Sequence, residues 1–93
     1  MLPILWRAEA QADLAATLEY IAERNPQSAP DLYDDIERVV SQLRHHLYLY
    51  LYRSGRVPGT RELVAQPNYI VVYRVSTIAA EIVSILHSRQ QYP

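Results

Sequence analysis

The side chains best suited to binding or catalysis in this 93-residue sequence are concentrated in its second half. Six of the nine arginines lie there (Arg44, Arg53, Arg56, Arg61, Arg74 and Arg89), and lysine is absent throughout. A guanidinium makes planar, two-pronged contacts with carboxylates and phosphates. An arginine-only basic set also fits a GC-rich genome, so the residue type alone does not assign a ligand. Arg61 and Arg74 fall on segments that read as neighbouring strands, where together they could clamp a phosphate. His87 exchanges a proton near neutral pH, and Tyr92 can stack on a ring or move a proton. Each also has a plainer use. Arg74 can pair with Glu62 across a sheet, and His87 can end a strand. Arg61 can meet the acids of a partner protein, and Tyr92 stands in a tail.

Other chemistries find little support. With no cysteine in the sequence, disulfides, thiolate catalysis and cysteine-based zinc sites are excluded. His45 and His46 are adjacent, and neighbouring side chains on a helix point about 100° apart, a poor arrangement for a shared metal. Imidazolium at a helix C-terminus suits the helix dipole instead. No metal and no cofactor are expected.

The length predicts a single domain over residues 1–93, and 49% hydrophobic residues are too many for a disordered chain. The net charge of −1 hides an asymmetry. Residues 1–43 carry three arginines against eight acids, and residues 44–93 carry six arginines against two acids. The positive half can face an acidic partner or a nucleic acid, and equally the acids can belong to solvated helix faces. No apolar run reaches the length of a membrane span and no signal peptide is evident, so a soluble, cytoplasmic protein is expected, with no membrane partner.

The elements that must position these residues follow from periodicity. Leu2–Trp6 reads as a first strand, with Pro3 suggesting an edge position. Leu14, Leu18 and Ile21 recur at helical spacing over Ala8–Arg24, and Asn25-Pro26 ends that helix. A second helix from about Ala29 to Arg44 or His46 has the stripe Leu32, Ile36, Val39, Val40 and Leu43. Ser28–Asp31 resembles a capping box, with Pro30 in the first turn. The Leu-Tyr repeat at 47–52 fits either period and reads best as apolar filler. A Gly-Pro loop over 53–59 leads to a strand at Thr60–Ala65. Pro67-Asn68 supplies a turn, and Tyr69–Val75 reads as a central strand. A final strand, Glu81–His87, precedes the tail. The fold class is therefore α+β: an antiparallel twisted sheet in β-α-α-β-β-β order with a helical hairpin packed on one face.

Several of these segments resemble the ParE/RelE superfamily of toxins from type II toxin–antitoxin systems. Glu9–Leu14 resembles the family's A-x-x-D-L helix start, and Tyr20–Pro26 its junction between helices. Gly55–Leu63 followed by Asn68–Val75 is the strongest piece. Ile82–Arg89 resembles its closing I-x-x-L-H-x-R strand. The resemblance spans nearly the whole chain, although the Leu-Tyr repeat lengthens a loop that is usually short. It implies a first strand added beside the three-strand meander, and a cognate antitoxin that wraps the toxin. It further implies contact with operator DNA only indirectly, through the antitoxin, and a role in growth inhibition and plasmid stabilization.

The superfamily holds two activities. ParE-like members inhibit DNA gyrase and are not hydrolases, whereas RelE-like members cleave mRNA on the ribosome without a metal. Cleavage needs a base, an acid and cations for the phosphate charge, and its candidates here are Arg61, Arg74 and His87. Under either activity, Arg53, Arg56, Arg61, Arg74, Arg89 and Tyr92 are the expected contacts to target or antitoxin. A ribosome-directed nuclease calls for a denser basic surface with lysines. The reading therefore favours the gyrase inhibitor, with the ribosome and mRNA as the alternative target.

Overall fold

A computed structural model describes residues 3–45 and 59–88. The chain runs through β1 (Ile4–Trp6), α1 (Ala8–Arg24), α2 (Ser28–His45), β2 (Arg61–Gln66), β3 (Tyr69–Val75) and β4 (Ala80–His87). This is the expected element order; α1 and β3 have the expected bounds, and the other elements shift by a residue or two at one or both ends. The sheet order is β1-β4-β3-β2. The last three strands form an antiparallel meander with β3 inside it, as its apolar sequence predicts. β1 sits at the edge, but it runs parallel to β4, so the sheet is mixed rather than wholly antiparallel. The physical reason is that α1 and α2 cross back over the sheet before β2, and a strand pair separated by such a crossover can be parallel where a hairpin cannot.

The helix stripes account for the core. Leu32, Ile36, Val39, Val40 and Leu43 of α2 are all buried. They meet Leu63, Val71, Tyr73, Ile82 and Ile85 on the facing side of the sheet. Each fully buried aliphatic side chain of this kind contributes about 1.5–3 kcal/mol. α1 is held less deeply. Ala10 is its one fully buried residue, and Leu14, Leu18 and Ile21 are half-buried against the core. Asp35 ties α2 to the sheet by accepting a hydrogen bond from Gln66 Nε2 at 2.8 Å.

Two register slips shape the sheet. Between β2 and β3 the pairing passes from Gln66↔Tyr69 to Val64↔Ile70, leaving Ala65 as an extra residue. Between β3 and β4 it passes from Tyr73↔Ile82 to Val72↔Ser84, leaving Val83 as an extra residue. Each slip reverses which face the following residues take. Beyond Val83 the edge of β4 is no longer covered by β1, whose pairing ends at Trp6↔Ile82. Asp13 of α1 takes over there: its Oδ2 accepts from the Ser84 hydroxyl at 2.5 Å and from the Ile85 N–H at 3.3 Å. The turn between β3 and β4 is closed by Ser76, whose N–H donates to the Ala79 carbonyl at 2.9 Å and whose Oγ accepts from the Ala79 N–H at 3.2 Å.

Removing an acceptor from a part-buried donor pair costs about 1–3 kcal/mol. Urea unfolding should therefore show Asp13→Ala destabilised by about that amount, with Asp13→Asn much less affected because its amide oxygen still accepts. At Asp35 the Gln66 amide, and then Arg38, hold the carboxyl below the ordinary aspartate range. The stability it contributes is therefore present above that range and lost as pH falls through the depressed value. Acid unfolding of Asp35→Asn should lack that component of the pH dependence.

Candidate functional site

The slip at Ala65 decides the placement of the two arginines. If the hairpin continued regularly from Gln66↔Tyr69, Arg61 would face Arg74 directly. Instead Arg61 lies opposite Tyr73. Opposed residues share a face and successive residues alternate. Arg61 therefore shares the helix-covered face with Tyr73, and Arg74, one residue on, belongs to the other face. The two do not form a clamp. Nor does Arg74 pair with Glu62, which is buried opposite Val72. The register partner of Arg74 on β4 is Glu81.

His87 ends β4 opposite Tyr69, with the two rings edge to face and their centroids 5.3 Å apart. Arg74 is five residue steps along β3 from Tyr69, which puts His87 and Arg74 about 17 Å apart along the sheet. Arg61 and His87 share the helix-covered face but at opposite ends, and Arg74 lies on the other face, so the three do not converge. Arg53, Arg56, Arg89, Tyr92, His46 and the Leu-Tyr repeat lie outside the described residues.

Among the described residues, separate clefts lie at the two ends of the sheet. The first, of about 450 Å³, lies at the Val83 bulge and is lined by Arg7, Glu9, Asp13, Arg74, Val83, Ser84 and Leu86. Arg7 sits between two carboxylates, with its Nε 3.4 Å from Glu9 Oε2 and its Nη1 3.4 Å from Glu81 Oε1. Both contacts are long and exposed, so they add little to stability and exchange readily with solvent or a ligand. Backbone hydrogen bonding at the start of α1, followed by Arg7, keeps the Glu9 carboxyl below its usual range.

The second cleft, of about 350 Å³, lies between α1 and the far end of the sheet and is lined by Ala16, Thr17, Tyr20, Tyr69 and His87. Its small residues on α1 leave room among three aromatic rings. Arg24 lies over the Tyr20 ring, 3.7 Å from the centroid, and donates to the Tyr20 carbonyl at 3.3 Å. Its guanidinium is thereby committed to its own helix rather than to the cleft.

The first cleft thus carries guanidiniums and no histidine, and the second carries His87 without an arginine in its lining. The three residues expected for RNA cleavage, Arg61, Arg74 and His87, do not face one another. Sequence reasoning missed Arg7, Tyr20 and Tyr69 as lining residues. Arg7 carries no signal of its own, because its place follows from the strand-to-helix junction. Asp13 was visible only as part of a helix-start motif.

Comparison with known proteins gives a consistent picture. A family model described as the ParE toxin of the parDE type II toxin–antitoxin system matches residues 4–92. Y4kP of Sinorhizobium fredii, described as a candidate toxin, is 35% identical over 91 residues, covering 97% of this chain and 92% of Y4kP. Among solved structures, a chain of the chromosomal ParDE system from P. aeruginosa superposes with a TM-score of 0.82 and 26% identity, covering 94% of this chain and 96% of that one. A chain of the E. coli DinJ–YafQ complex superposes with a TM-score of 0.62 at 10% identity, covering 94% and 93%, a likeness of fold alone.

Residues on opposite faces of a sheet share no partners and should act independently. A double-mutant cycle of Arg61→Ala and Arg74→Ala in thermal or urea unfolding should give a coupling energy within about 0.5 kcal/mol of zero. A coupling above about 1 kcal/mol would place the two side chains together after all.

Proposed function

The chain belongs to the ParE toxin family of type II toxin–antitoxin systems, and on that premise we propose that it inhibits growth by binding DNA gyrase rather than by cutting RNA. The observation that carries this reading is the separation of its cations from its histidine. Metal-free phosphodiester cleavage needs a general base, a general acid and charge stabilisation within hydrogen-bonding reach of one phosphate. Arg74 lies on the opposite face of the sheet from both Arg61 and His87, and Arg61 and His87, which share the helix-covered face, stand at opposite ends of it. A protein that acts by binding has no such requirement. It needs surface, and the half-buried α1 with its exposed Tyr20, together with the two open clefts, supplies it. The absence of lysine points the same way, since a ribosome-bound nuclease depends on dense cationic contact with RNA.

The family implies a cognate antitoxin that neutralises the chain. On this reading the antitoxin covers the gyrase-binding surface, and operator DNA is contacted only through the antitoxin. Ribosome-dependent mRNA cleavage is the alternative that the test must separate.

The test is a purified supercoiling assay. The folded chain should inhibit gyrase, the cognate antitoxin should restore activity, and His87→Ala should inhibit as the parent does. A folded chain that binds its antitoxin but leaves supercoiling untouched at saturating concentration would transfer the reading to translation.

A further inference from the structure

The first cleft contains a cation whose natural partner is taken. Arg74 is exposed on β3, and the carboxylate opposite it in register, Glu81, is engaged by Arg7. Among the described residues Arg74 makes no ion pair or hydrogen bond, so its guanidinium donors are uncommitted. The other carboxylates of the cleft are also occupied. Asp13 accepts from Ser84 and Ile85, and Glu9 is turned onto Arg7. The apolar side chain that this lining presents is the half-buried Val83, since Leu86 is itself buried.

The way a partner can enter is restricted as well. An exposed strand edge ordinarily invites a further strand. Here the edge of β4 past Ile82 is occupied by Asp13, which takes the Ile85 N–H that an added strand would need. A partner at this cleft must therefore bind through side chains rather than by extending the sheet.

We propose that this cleft is the anchor point for an acidic side chain of the cognate antitoxin. The carboxylate takes Arg74 in a two-pronged contact, and an adjacent apolar side chain rests on the half-buried Val83. Arg7 closes the other rim and can share the incoming charge, because its contacts to Glu9 and Glu81 are long and exposed. A guanidinium beside an apolar floor gives a planar ion pair partly removed from water, where it is stronger than at an open surface. This rests on the toxin–antitoxin reading but not on gyrase being the target.

The experiment is calorimetric titration of the purified chain with its cognate antitoxin at several salt concentrations. Arg74→Ala should weaken binding by about tenfold or more, as expected for truncating a charge-paired anchor, and should flatten the salt dependence. Arg74→Lys should recover part of the affinity, since an ammonium keeps the charge without the two-pronged geometry. Arg38→Ala on α2, whose partner is Asp35, should bind as the parent does. Unchanged affinity and salt slope in Arg74→Ala, with a parental melting curve, would overturn the proposal. Intact antitoxin affinity combined with lost growth inhibition would also overturn it, and would assign the cleft to the target instead. The measurement uses only the toxin–antitoxin pair, so it stays decisive if gyrase proves to be the wrong target.

Discussion

Side chains on a strand alternate between faces, and this sheet breaks that alternation twice, at Ala65 and at Val83. The first slip turns Arg61 away from Arg74. The second sends Ile85 into the helix-covered core while Ser84 and Leu86 face the other way. It also falls where β1 stops covering β4, so the edge needs another acceptor, and the Asp13 carboxylate supplies it. The N-terminal half of α1 is seated by that contact, and Arg7 and Glu9 are carried with it to the rim of a cleft. The arrangement of charge around the first cleft therefore depends on two residues that contribute no charged group of their own.

From that arrangement follows a division of labour between the two ends of the sheet. Guanidiniums gather near the bulge, where Arg7, Glu81 and Arg74 follow one another across the strands. Aromatic rings and His87 gather at the other end beneath α1. Catalysis requires groups that converge on one reacting atom, whereas recognition is served by separate anchors spread over a surface. The likeness to a chain of the E. coli DinJ–YafQ complex is one of fold alone.

Much of the fold was readable from sequence because its signals are strongly periodic. The five-residue apolar stripe of α2 is buried in full, Asn25-Pro26 ends α1 where expected, and the β-branched run of β3 is the inner strand of the meander. The direction of β1 was not readable, since a three-residue apolar strand pairs equally well either way and the helical crossover decides. The candidate site was readable only in residue type. Arg61 and Arg74 do lie on adjacent strands, but a one-residue slip is invisible to composition and reverses a face. Asp13 was noticed as a motif position, yet its use as a stand-in for a missing strand becomes apparent only once β1 is seen to end at Trp6.

The central claim is that this chain acts by occupying a surface and turns over no substrate. The most direct measurement is a count of mRNA ends produced per toxin molecule on translating ribosomes, with the folded chain present below the ribosome concentration. The account predicts no ends above those of a toxin-free control. Several cleavages per molecule, abolished by the cognate antitoxin, would contradict it.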